Sequence, residues 1–149
     1  DAQESRGLGD VYKRQVLIDR NNPKQAVSAM AAFGRYLEER KFAGCLFPEG
    51  TRSRDGRMRA FKTAGAITLL RNAPSAIIVP VAIDGSWQLA RYGFAPIPFG
   101  VRLSCTVLPP IEQDGRPLEE LVILAESRIR ECLAQNAAEN RRSRCYSAL

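Results

Sequence analysis

The sequence predicts an α/β fold, a mixed sheet flanked by helices, and three observations carry it. Short apolar, β-rich runs occur at 43–47, 76–83 and 101–108. Two segments, 23–40 and 117–133, repeat their apolar residues at three- and four-residue spacing. Strand-like and helix-like segments alternate along the chain, which is the order an α/β layer requires. The length of 149 residues, with 45% hydrophobic and 26% charged residues, suits one domain with a real core. No repeat and no second domain is visible.

Residues 1–15 are polar and without period, and they join abruptly to Val16. They read as a non-native or disordered leader, such as a tag, a linker or adaptor read-through. A parent gene encoding the same fifteen residues in frame refutes that reading. Position 1 is not Met, so the chain reads as a fragment. Val16-Leu17-Ile18 is a short buried-strand candidate ending at Asp19-Arg20.

Asn22-Pro23 is a helix start, with Asn as cap and Pro at the first helical position. Val27, Met30, Ala31, Gly34 and Leu37 then mark one face of a helix over 23–40, and Lys41 closes its basic end. Ala43 to Phe47 follows as a strand. A helix is expected from Arg59 to Asn72, where Gly65 costs about 1 kcal/mol of propensity and suggests close packing.

The run Ala76 to Ile83 reads as a buried strand, with Pro80 at a bulge or an edge. Asp84-Gly85 is a turn. Trp87 to Phe99 is rich in Pro and aromatics and reads as a surface loop. Val101, Leu103, Cys105 and Val107 alternate as in a strand, and Pro109-Pro110 stops it. Pro117 opens a helix whose stripe is Leu118, Leu121, Val122, Ala125, Ile129 and Leu133. From 137 to 149 the chain is a basic tail, with Arg141, Arg142 and Arg144, expected to fray.

The chemistry gathers at Phe47-Pro48-Glu49-Gly50-Thr51-Arg52-Ser53-Arg54. Gly50 allows a tight turn that approaches a ligand. Thr51 offers a hydroxyl, and Arg52 a planar fork of donors suited to phosphate or carboxylate. Glu49 is an acceptor among cations. The stretch reads as an anion-binding turn with a carboxylate beside it. A net charge of +6 points to anionic partners: a phosphorylated small molecule, an anionic membrane surface or nucleic acid.

Histidine is absent, and Cys45, Cys105, Cys132 and Cys145 are widely spaced, which argues against a zinc site. Cys45 and Cys105 sit in apolar runs and read as reduced core thiols, which fits a cytosolic face. No run of eighteen apolar residues occurs, so no membrane-spanning helix is expected in this piece.

The turn from Phe47 to Ser53 resembles the third sequence block of the glycerolipid acyltransferases, the PlsC-like 1-acyl-glycerol-3-phosphate acyltransferase family. Ile18-Asp19-Arg20 resembles the second block. Phe61-Lys62-Thr63-Ala64-Gly65-Ala66 resembles the Phe-Lys-x-Gly helix start, with one extra residue before the glycine. Val79-Pro80-Val81-Ala82-Ile83 resembles the fourth block. A lone Glu-Gly-Thr-Arg is a weak signal, but four blocks in order over residues 16 to 112 are strong. The resemblance implies a glycerol-3-phosphate acyltransferase-like fold, present here as the C-terminal part of the domain over 16–136.

The resemblance also implies a reaction. A fatty acyl group passes from acyl-CoA or acyl-carrier protein to the hydroxyl of a lysophospholipid acceptor in phospholipid biosynthesis, with the thioester as co-substrate and no further cofactor. Arg20 and Arg52 would grip the acceptor phosphate, and Gly50 and Thr51 would add backbone and hydroxyl contacts. Glu49 would position the glycerol hydroxyl or brace the arginines. Lys62 would add charge, and Pro80 would lie beside the acyl chain. The family's general base is a His-x-x-x-x-Asp block. No His is present, so no catalytic residue is assigned and the chain as given is expected to be inactive.

Each of these residues also has a structural reading. Arg52 would pair with Asp55 or Glu49; Arg20 would be a loop charge beside Asp19; Glu49 would cap the next amides. Lys62 would be a solvated helix residue, and Pro80 would shape its strand. Trp87, Tyr92, Phe94, Phe99 and Arg91 would either bury over the core or rest on a membrane interface. A lipid acceptor favours a membrane-associated location on the cytoplasmic face. Two rivals stand beside the enzyme: a non-catalytic phospholipid- or phosphate-binding module, and a nucleic-acid binder. The second lacks aromatics interleaved with its basic run, and no nucleic-acid partner is expected.

Overall fold

The computed structural model describes residues 16, 18, 22–51, 53, 55–89 and 99–146. The expected α/β class is present as helices with a small antiparallel sheet. The chain divides into two compact units where the sequence suggested one domain. The first is Asp1–Pro48 with Lys62–Ala76, and the second is Glu49–Phe61 with Ile77–Leu149.

The first unit is a pair of helices, α1 (Pro23–Arg40) and α2 (Thr63–Arg71). α1 has the bounds expected of it. Asn22 caps it by accepting the Gln25 N–H at 3.1 Å. It ends where Lys41 turns left-handed at φ 53° and donates its N–H to the Leu37 carbonyl. Its buried face is Met30, Gly34 and Leu37, and that of α2 is Ala66, Leu69 and Leu70.

The closely packed glycine is Gly34 rather than Gly65. A Cβ at 34 would lie 2.5 Å from the Leu69 carbonyl oxygen, whereas one at 65 would meet Met30 at an ordinary 3.9 Å. The expected strand at 43–47 is chain without regular structure, and its residues are exposed. Cys45 is therefore exposed and not the core thiol expected, because no strand among the described residues covers it.

The second unit holds β1 (Val81–Asp84), the single helical turn α3 (Ser86–Leu89), β2 (Ser104–Val107) and the long helix α4 (Leu118–Tyr146). β1 and β2 pair antiparallel with Val81 opposite Val107 and Ile83 opposite Cys105. The run 76–83 is not one strand. Ile78 makes an isolated bridge to Ile111, and the ladder begins only after Pro80, which has no N–H to give it.

Ala82 points into the core and is fully buried, while Val81, Ile83 and Val107 are exposed. Cys105 shares that outer face and is exposed too, again against expectation. Ile111, Leu121 and Ala125 form the core cluster, with Ile78, Leu118 and Leu124 packed against it. Among the described cysteines Cys132 is buried. The helix does not end near Ala137 as expected but runs on to Tyr146.

Candidate functional site

In sequence the Glu49–Phe61 stretch lies between Pro48 and Lys62. In the first unit the Lys62 N–H donates to the Pro48 carbonyl at 2.8 Å. Gly50 takes φ 68°, the left-handed turn that the sequence required of it. Glu49 and Gly50 are half-buried, and Thr51 is exposed. Arg20 and Arg52, the two arginines expected to hold phosphate, lie outside the described residues, as do Tyr92, Phe94 and Arg91.

Glu49 accepts the backbone N–H of Arg59 at 2.8 Å. Among the described residues its partner is thus an amide ten residues on. Inside that span a smaller turn forms. Asp55 accepts the Arg57 N–H at 3.1 Å and the Ser53 hydroxyl at 3.2 Å. The Arg57 amide, the strongest influence, holds the Asp55 carboxyl below its ordinary value of 3.8. Trp87 covers the turn: its Nε1 is 2.5 Å from where a Gly56 Cβ would stand, and Gly56 has φ 78°. Trp87 is half-buried and Phe99 fully exposed, so the two described aromatics of the 87–99 segment behave differently.

The return of the loop is held by a residue that the sequence did not single out. Glu126 on α4 accepts the Phe61 N–H at 3.2 Å through one carboxylate oxygen. Its other oxygen takes Arg130 at 2.6 Å. Helix α2 starts at Thr63 and not at Arg59, and the Arg59 and Phe61 amides ahead of it are held by these two carboxylates. The only sequence signal for Glu126 was a carboxylate directly after Ala125, at the margin of the apolar stripe.

Lys62 is exposed and stands at the N-cap position of α2 without a side-chain capping bond. Pro80 is buried, and its carbonyl accepts the Leu108 N–H at 2.9 Å, so it extends the sheet's pairing in the second unit. Separately, the first unit carries an apolar groove of about 690 Å³ lined by Ile18, Met30, Phe33, Leu37 and the 42–47 segment. Among the described residues no helix is long and apolar enough to cross a membrane.

The chain is similar to known proteins over most of its length. The chain is 33% identical over 120 residues to a 1-acyl-sn-glycerol-3-phosphate acyltransferase of Limnanthes douglasii, covering 76% of this chain and 40% of that protein. It is 30% identical over 123 residues to 1-acyl-sn-glycerol-3-phosphate acyltransferase alpha of Mus musculus, covering 83% and 42%. With the 1-acyl-sn-glycerol-3-phosphate acyltransferase of Salmonella typhimurium it shares 37% identity over 71 residues, or 48% and 28%. The chain thus spans well under half the length of these relatives. No solved structure matches it. The acyltransferase family matches residues 10–84, half of the chain and the region with all four motif blocks, so the chain belongs to the acyltransferase family.

Proposed function

We propose that the protein carrying this chain transfers a fatty acyl group from acyl-CoA or acyl-carrier protein to the free hydroxyl of 1-acyl-glycerol-3-phosphate. The hydroxyl oxygen attacks the thioester carbonyl, the carbon–oxygen bond forms, and the carbon–sulfur bond breaks to release a thiol. A positioned base that takes the hydroxyl proton is worth roughly 10²–10⁴-fold in rate. The chain has no histidine to serve as that base. Its part is to hold the acceptor: Arg20, Arg52 and Lys62 neutralise the phosphate, and Gly50 and Thr51 bring backbone and hydroxyl to it. Such an acceptor resides in a bilayer, so the protein works at a membrane surface on the cytoplasmic face.

The observation that carries this reading is the Glu49–Gly50–Thr51 turn, bent left-handed at Gly50 and braced by Glu49 on the Arg59 amide, inside the family match. Purified 1–149 is expected to release no thiol from acyl-CoA with lysophosphatidate, and the full-length parent to release it steadily. The isolated chain is expected to bind glycerol-3-phosphate, with Arg52→Ala weakening it about tenfold or more. Thiol release by the chain alone would overturn the assignment of the proton-moving group to another segment. Lack of histidine also favours a second reading of the isolated chain, a phospholipid-binding module. Lipid binding without turnover in the full-length parent decides for it.

A further inference from the structure

We propose that Glu126, on the long C-terminal helix, is a positioning residue for Glu49 and acts through the 59–61 backbone. This rests on the reading that the 49–52 turn holds the acceptor.

Three contacts, all within the second unit, carry it. Glu126 receives the Phe61 N–H at 3.2 Å, and that bond is partly buried. Two residues earlier, the Arg59 N–H is given to Glu49 at 2.8 Å. Arg130, one helical turn further along α4, donates to the second oxygen of Glu126 at 2.6 Å. The guanidinium thus fixes the carboxylate that fixes the 59–61 backbone, and that backbone fixes Glu49. Only 20% of the Glu126 side chain is exposed. That leaves less competition from water than an open surface carboxylate meets, and a hydrogen bond to a charged acceptor is stronger for it.

The helix stands on a well-buried base, since Leu121, Val122 and Ala125 are each at most 7% exposed. A carboxylate one residue past that base therefore has little freedom to drift. Glu126 lies outside the four motif blocks and outside residues 10–84. Its place in the reaction comes from the helix packing and not from the motif it serves. No group is transferred at Glu126; its contribution is to reduce the conformations open to Glu49 before the acceptor arrives.

The test compares Glu126→Ala and Glu126→Gln in the 1–149 chain, with helix content checked by circular dichroism. Amide hydrogen exchange is read at Phe61 and Arg59, and glycerol-3-phosphate affinity by titration calorimetry. In Glu126→Ala both amides are expected to exchange about tenfold faster, although only Phe61 touches Glu126. Affinity is expected to fall about fivefold. Glu126→Gln keeps an oxygen acceptor and is expected to restore both amides and the affinity to near wild type. If the Arg59 amide is unchanged in a well-folded Glu126→Ala protein, the coupling to Glu49 is wrong. Loss of Arg59 protection with unchanged affinity overturns the role in acceptor binding. If wild type binds no glycerol-3-phosphate at all, the acceptor-holding reading fails, while the two amides still decide whether Glu126 sets Glu49.

Discussion

Gly34 on α1 faces the Leu69 carbonyl on α2 so closely that a Cβ at 34 would sit 2.5 Å from that oxygen and 2.8 Å from the Asn72 Cβ. The contact lets the two helices approach almost backbone to backbone. Asn72 closes the same corner by accepting from Arg35 at 3.2 Å and donating to the Thr68 carbonyl at 2.8 Å.

Gly34→Ala is therefore expected to destabilise the protein, although alanine is the better helix former by about 1 kcal/mol. The obstacle is a backbone oxygen, which cannot rotate away, so the helices must separate. Overpacking of this kind costs about 1–3 kcal/mol, and it exceeds the propensity gain. Gly65→Ala is the control, because its Cβ would meet only Met30 at 3.9 Å. Urea unfolding should show a lower midpoint for the first and an equal or higher one for the second. A wild-type midpoint for Gly34→Ala would mean that the helices are not held this close.

Gly85 poses a different constraint. It takes φ 81° directly after β1, and a Cβ there would collide with the Arg102 carbonyl, a backbone group. The left-handed conformation alone costs a non-glycine residue roughly 1–2 kcal/mol. With the collision added, Gly85→Ala is expected to lose about 3 kcal/mol, and the pairing of Asp84 with Ser104 should fray first. Thermal unfolding measures the loss. Amide exchange in β1 and β2 shows where it falls. Stability within about 0.5 kcal/mol of wild type would contradict the geometry.

These two glycines show what could be read in advance and what could not. Gly50 was legible, since a glycine between Glu49 and Thr51 at the end of an apolar run signals a turn, and it is left-handed at φ 68°. The bounds of α1 were legible as well, because Asn22-Pro23 and Lys41 punctuate both ends. The start of α2 was not. Arg59 to Lys62 has helical composition yet is irregular, and residues far along the chain, Glu49 and Glu126, accept two of its amides. Tertiary hydrogen bonds to a backbone leave no trace in the donor's residue type. Cys45 and Cys105 misled for a related reason: an apolar run marks a strand that can be buried, not the neighbour that buries it. The site's motif was readable from residue types, and its bracing was not.

Glu49 itself separates charge from shape. Its role toward Arg59 is that of an acceptor for a neutral N–H, which an amide oxygen also fills. Glu49→Gln is expected to keep most of the stability and most of the glycerol-3-phosphate affinity of the chain. Glu49→Ala hands the exposed Arg59 amide to water and is expected to cost about 0.5–1.5 kcal/mol of stability. Affinity should drop with it by about fivefold or more, because the turn at Gly50 then samples more conformations. Equal affinities for the alanine variant and wild type would remove Glu49 from the acceptor site. A gain in affinity for the glutamine variant would show that its charge repels the phosphate.

Glu38 supplies a pH dependence whose sign is fixed by its partners. Its carboxylate takes Lys41 Nζ at 2.6 Å and both the Ser75 hydroxyl and the Ser75 N–H, at 2.8 and 3.1 Å. The hydrogen bond from Lys41 is the largest influence, followed by those from Ser75, and together they hold the carboxyl below its ordinary value of 4.5. A carboxyl lowered on folding stabilises the folded state above the unfolded-chain value. That contribution disappears as pH falls from 4.5 through the lower folded-state value. The tie between the end of α1 and Ser75 should therefore weaken in acid and not in alkali. Because Asp55 and Asp114 are lowered as well, the total acid loss belongs to several groups, and a difference measurement is needed. Glu38→Gln isolates its share: the gap in melting temperature between wild type and the variant should be widest near neutral pH and close toward about pH 3. Salt should narrow the gap only in part, since it screens Lys41 but not the bonds from Ser75. A gap that stays constant across that pH range would show that Glu38 titrates no differently in the folded and unfolded chain.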